Sequence, residues 1–312
     1  MLAPVIAGVD GSTESLAAAV GVPPTPLRQW GRAAREAVRR DRPQRLLHAW
    51  NWHPRQEDGE IATAAQRHLA RRALRQPEDR IRRSCPDTRV EDEQVEGPAT
   101  AALLKASEQA DLLVPGSRGL SSFTGFLVGS VALGVVARAP RPVVLVRAGE
   151  EAADERLPDG QGNASIRTGY RDVVFGIDLA DPCDEVIRFA FEEARLRGAR
   201  LKAVHAWQQP SLIGLGPGDL GLVGGPERAE EWLGFLTAVL EVWREKYPGI
   251  EVAETVTEGR PQSALLRAAS GASVLVVVGR RTTDRPTGPR TGPVAHAAIH
   301  HVGCRVAVVP HD

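Results

Sequence analysis

Short apolar runs alternate with stretches of helical period along this chain. Val5 to Val9 is an apolar run that closes on Asp10, and it predicts a buried strand. Leu112 to Val114 reads as the end of a second buried strand, and after it Val131, Val135 and Ala139 recur every four residues, as one face of a helix does. The pattern then repeats. Val-Ile-Ala-Gly-Val-Asp at Val5 returns as Val-Val-Phe-Gly-Ile-Asp at Val173. Leu46-Leu47-His48-Ala49-Trp50 is matched by Ala203-Val204-His205-Ala206-Trp207. Val95 to Pro98 pairs with Thr257 to Arg260, Asp111 to Gly116 with Ser273 to Gly279, and Pro142 to Arg147 with Arg305 to Pro310. The chain is a tandem repeat. Each half alternates strands with helical stretches, which calls for a parallel sheet covered on both faces.

Domains are expected over 1–148 and 171–312. The segment 149–170 between them is rich in Glu, Asp, Gly and Asn without apolar period and reads as a flexible linker. The halves differ in one measurable way. Asp10 to His48 spans 38 residues and Asp178 to His205 spans 27, so the first half carries 11 more. These lie at Val20 to Trp30, whose three prolines and one glycine predict a first helix that stops near Ala19 and resumes near Gly31. Pro77 is likewise expected to interrupt a helix from Ala62 to Arg83. In the second half, Trp232, Leu233, Leu236, Leu240 and Trp243 form an apolar stripe that reads as core packing.

Composition narrows the function. Lys plus Arg and Asp plus Glu balance at 39 each, which gives no overall field for nucleic acid or a membrane surface. The seven arginines from Arg67 to Arg83 come without stacking aromatics and read as a solvated face. No run is long and apolar enough for a membrane span, and the N-terminus enters a strand at once, so a cytoplasmic protein is expected. Cys85, Cys183 and Cys304 have neither disulfide nor zinc spacing and read as plain thiols. His48 and His205 lack a nucleophile in an elbow turn and are expected to be structural. His296 and His300 share a helical face, but no Glu accompanies them as in His-Glu-x-x-His.

The chemistry gathers between Val114 and Pro142. Gly116, Gly119, Gly129 and Ser130 are spaced Gly-x2-Gly-x9-Gly-Ser in a strand-to-helix loop. Glycine permits positive φ and close backbone approach to a ligand, and Ser130 is expected to cap the helix. Helix-start amides favour an anion, so the loop reads as a phosphate cradle. This spacing, the helix after it and the strand Pro142 to Arg147 resemble the universal stress protein family, in its ATP-binding branch, over nearly the whole chain. The resemblance implies two Rossmann-like, doubly wound α/β domains with strand order 3-2-1-4-5. Ligands of such sheets bind at the carboxyl ends of the strands, where Asp10 and Gly116 meet.

That resemblance also implies a nucleotide, ATP with Mg2+ as its companion. Asp10 would touch the ribose or the metal-phosphate region, the Ala49 backbone would read adenine and Val95 would line the adenine pocket. Gly116, Gly119, Gly129 and Ser130, with Val131 after them, would wrap ribose and phosphates. It implies an intramolecular pseudo-dimer of the two repeats through their fifth strands, with homodimers and an unknown protein partner as further associations. The expected role is a stress-response sensor or regulatory module and not an enzyme, since no general base or metal-ligand cluster stands beside the loop. Two alternatives remain open. An ATP-pyrophosphatase would carry Ser-Gly-Gly-x-Asp-Ser after its first strand, where this chain has Asp10-Gly11-Ser12. A nucleotide-free interaction module is the other. In the second loop, Thr282 replaces Gly119 and Pro293 replaces Ser130, so one nucleotide per chain is expected, in the first repeat.

Overall fold

A computed structural model describes residues 2–9, 27–50, 68, 71, 74–75, 77–79, 81–83, 85–115, 128–146, 153–163, 165–208, 225–270, 273–282 and 291–312. Two compact units emerge, the first over Met1–Glu151 and Thr282–Thr291 and the second over Ala152–Arg281 and Gly292–Asp312.

In the first unit, β1 (Val5–Val9) is flanked by β2 (Gln44–Trp50) and β4 (Leu112–Val114), with β3 (Val90–Glu96) and β5 (Val143–Leu145) outside them. All pairings are parallel and the order is β3-β2-β1-β4-β5, the predicted 3-2-1-4-5. Helices α1 (Leu27–Arg39), α2 (Ala99–Ser107) and α3 (Ser130–Val136) accompany the sheet. Every residue of β1 is buried, as a strand covered on both faces must be. Each Val, Ile or Leu so buried contributes about 1.5–3 kcal/mol. β3 is the opposite case. Its Glu91, Asp92 and Glu93 answer to its outer position, where charge discourages further pairing, and Arg45 of β2 bonds Glu91 at 3.2 Å.

The second unit repeats the plan. β6 (Asp172–Gly176), α4 (Asp184–Arg197), β7 (Leu201–Trp207), α5 (Gly225–Lys246), β8 (Val252–Glu258), α6 (Pro261–Ala269), β9 (Ser273–Arg281), α7 (Pro293–His301) and β10 (Arg305–His311) follow in turn. Its strands lie in the order β8-β7-β6-β9-β10, all parallel, the same topology read from the repeat's own first strand.

Two expectations change. The helix after Val20 to Trp30 resumes at Leu27, ahead of Gly31, since only prolines up to Pro26 forbid it; Val20 to Pro26 themselves lie outside the described residues. Around Pro77, residues 74–75, 77–79 and 81–83 are helical, while Gln76, where the expected break would fall, lies outside the described residues. The segment expected as a flexible linker is folded from residue 153 onward. Ala153–Glu155 makes one 3-10 turn, Leu157 N donates to Gly169 O at 2.8 Å and Arg156 bridges to Tyr170. Asp159 closes the tip by accepting from Gln161 N at 2.9 Å and Asn163 N at 2.8 Å, bonds that hold its carboxyl below the usual carboxylate range. Glu155 is buried and pairs with the equally buried Arg305 of β10.

Candidate functional site: the carboxyl edge of each sheet

The site elements meet where the parallel strands end. Ala49 and Val95 are direct register partners on β2 and β3. Both are half-buried. Two residues beyond Val95, Gly97 turns the chain with φ +127 and donates its N–H to Trp50 O at 2.9 Å. That conformation suits glycine alone among the residue types. The second unit copies the device: Gly259 has φ +130 and donates to Trp207 O at 2.9 Å. Neither glycine was among the expected site residues. The repeated Glu-Gly at Glu96-Gly97 and Glu258-Gly259 was the signal.

On the other side of β1, α3 begins at Ser130 after β4. Gly129 is the residue before the helix, with φ −65 and ψ 155, and Ser130 is the first helical residue. Both expectations for this pair are corrected here. Gly129 does not use positive φ, and Ser130, exposed, makes no capping bond. A side chain on Gly129 would meet nothing within 4 Å. No described residue therefore requires glycine there. Val131 follows, half-buried. Asp10, Gly116 and Gly119 lie outside the described residues. Their flanking strands place β1 between β2 and β4, with Val9 opposite His48 and Ala7 opposite Val114.

The two histidines before Ala-Trp have a mechanical role. His48 Nδ1 lies 3.1 Å from Val9 O and His205 Nδ1 lies 3.1 Å from Ile177 O. A carbonyl only accepts, so the proton sits on Nδ1 in both. Each bond ties the end of the second strand to the end of the first. Against His205 lies the Trp232 ring, centroids 4.9 Å apart, and among the described residues neither the buried His205 Nε2 nor Trp207 Nε1 has a hydrogen-bond partner.

The second unit shows how its own aspartate is used. Asp178, the counterpart of Asp10, accepts from Ala180 N at 3.1 Å and so shapes the turn after β6. Beyond the edge, Cys183 is pushed up to about 11, first by burial and then by Glu185 beside it, which keeps the thiol protonated and unreactive at neutral pH. On α7, the His296 and His300 rings lie 4.4 Å apart, and burial with the neighbouring imidazoles lowers His300 below its ordinary value. Among the described residues no group of three His, Cys, Asp or Glu side chains could hold a metal, and no helix is long and apolar enough to cross a membrane.

These features define a class first: two tandem doubly wound α/β domains, each with a glycine-turned carboxyl edge. The chain belongs to the universal stress protein family, whose model matches residues 1–147 and again 169–310. It is 30% identical over 320 residues to universal stress protein Rv2005c of Mycobacterium tuberculosis, covering 98% of this chain and 95% of that protein. Universal stress protein Rv2623 of the same organism is 29% identical over 305 residues, covering 92% and 93%. The fold also matches a crystal structure of a universal stress protein from Archaeoglobus fulgidus, with TM-score 0.66, 19% identity and coverage of 99% of this chain and 98% of that one.

Proposed function

We propose that the protein is an ATP-binding regulatory module of its family, holding one nucleotide at the carboxyl edge of the first unit. Adenine lies against the Ala49 backbone and Val95. Asp10 meets the ribose or the metal-phosphate region, and Gly116, Gly119, Gly129, Ser130 and Val131 enclose ribose and phosphates, with Mg2+ accompanying the latter. The observation that carries this reading is Gly129. It stands at a helix start where, among the described residues, a side chain would touch nothing and φ is ordinary, so none of them accounts for its being glycine. A ligand that needs close backbone approach is the remaining demand. In this reading the module binds and signals, in the cytoplasm, without turning ATP over.

Native mass spectrometry of the purified protein and calorimetric titration with MgATP test it. One tight site is expected, abolished by Asp10→Ala and little changed by Asp178→Ala. Loss of binding only in the Asp178 variant would overturn the assignment.

Tandem family repeats fit an intramolecular pseudo-dimer, and we place its contact at the fifth strands, β5 and β10. Amides of Val143 to Leu145 are then expected to exchange slowly in the whole chain and rapidly in 1–151 expressed alone. Equal exchange in both would sink that contact. A nucleotide-free interaction module remains a second reading, favoured by the apolar side chains that α5 leaves exposed: Phe235 at 51% and Val242 at 67%.

A further inference from the structure

The second crevice carries a side chain that the first has no counterpart for. Gly279 of β9 matches Gly116, and Gly292 matches Gly129, with the same separation of 13 residues in each half. A side-chain carbon added at Gly279 would lie 2.7 Å from His311 Nε2, 2.9 Å from His311 Cδ2 and 3.1 Å from Val186 Cγ2. Real side-chain carbons do not approach so closely, so the imidazole lies flush against the bare glycine. At the same offset the first half has Ala148 in place of His311. Ala148 lies outside the described residues, and an alanine carries no ring to lay over a glycine.

The surrounding groups are engaged in the same way. Arg281, in register with His311, bonds Asp181 Oδ2 at 2.5 Å and so joins the end of β9 to the loop after β6, the two strands that border the switch point. Asp178 is held by Ala180 N. Glu185 stands in the first turn of α4, where its own backbone N–H is the first cause that keeps its carboxyl low, with Cys183, Arg188 and His311 adding to it. A phosphate arriving here would meet a carboxylate already seated at the helix start. The Asp181–Arg281 pair is exposed at both ends, so salt screens it and a phosphate could displace it. The ring is the steric obstacle.

We infer that the second crevice is closed by the chain's own residues, with His311 the residue that decides which repeat takes the nucleotide. The inference rests on reading the first crevice as an ATP site. Its test is a calorimetric titration with MgATP of the full chain and two variants, with the thermal midpoint of each recorded. The unaltered chain should bind one ATP. His311→Ala should bind two, the second at least tenfold more weakly, because Thr282 and Pro293 still replace a glycine and a hydroxyl. Ala148→His should lose at least tenfold in affinity while melting as the parent does. A stoichiometry of one in His311→Ala, or unchanged affinity in Ala148→His, overturns the inference and leaves the proposed function standing. No binding by the unaltered chain overturns both.

Discussion

Two glycines that the sequence aligns, Gly129 and Gly292, serve different masters. Gly292 has φ +73, a conformation other residues adopt at a cost, so the fold itself calls for it. Gly129 has ordinary φ and open space around it. Replacing Gly129 by Val should therefore change stability by no more than about 0.5 kcal/mol, as at other unconstrained surface positions. ATP affinity should fall at least tenfold, which corresponds to about 1.4 kcal/mol. A melting curve and a titration on one sample check both, and joint loss of stability and binding would show the loop to be structural. The same scale shows the limit of motif reading. A Gly-Ser pair before a helix looks like a cap, but the residue that begins the helical dihedrals is Ser130, one place too late for its hydroxyl to cap.

Elements were legible where their burial was one-sided or complete. β1 and β9 announce themselves by unbroken apolar runs because helices cover both faces. β3 and β8 give almost no apolar signal, since edge strands tolerate and even favour charge. The stripe on α5 is core in part: Leu236 and Leu240 are fully buried, whereas Leu233 stays 40% exposed, at the rim of the covered face. Its aromatic end is well packed, with the Phe191 and Tyr247 rings 5.4 Å apart. On α7, His300 titrates below its ordinary value, through burial first and then the charges of His296 and His301. The folded state thus holds the proton more weakly than the unfolded chain. Stability from this group is present above the ordinary histidine value and is lost as pH falls through it toward the folded value. Thermal melts from pH 8 to pH 5 should show this loss, and His300→Gln should flatten it. An identical profile in the variant would assign the dependence elsewhere.

For the whole molecule, the boundary is sharper than the composition suggested. The second unit begins at Ala152, and residues 153–170 fold back on it through the buried Glu155–Arg305 pair. Glu155→Leu would leave a buried guanidinium without its carboxylate and should cost about 3–5 kcal/mol in unfolding experiments on the second unit. It should also expose 156–170 to limited proteolysis. Glu155→Leu combined with Arg305→Met should recover most of that stability, since removing both charges removes the desolvation cost. Failure of the double variant to recover would mean that the pair does more than fasten the segment.

The repeat, the parallel sheets and the glycine spacing of the loop before α3 follow from the sequence alone, whereas the strand order came only with the family resemblance. They rest on signals that are local or periodic: apolar runs, helical spacing, glycine positions and a phrase written twice. Tertiary structure decided the rest. The polar, glycine-rich segment before Tyr170 looks unstructured until Arg305, 150 residues away from Glu155, supplies the buried partner that folds it down. The turn glycines Gly97 and Gly259 matter because Trp50 and Trp207 offer them carbonyls from a neighbouring strand. The ring of His311 matters because strand register sets it against Gly279. In each case the partner is distant along the chain, and only the folded chain brings the two together.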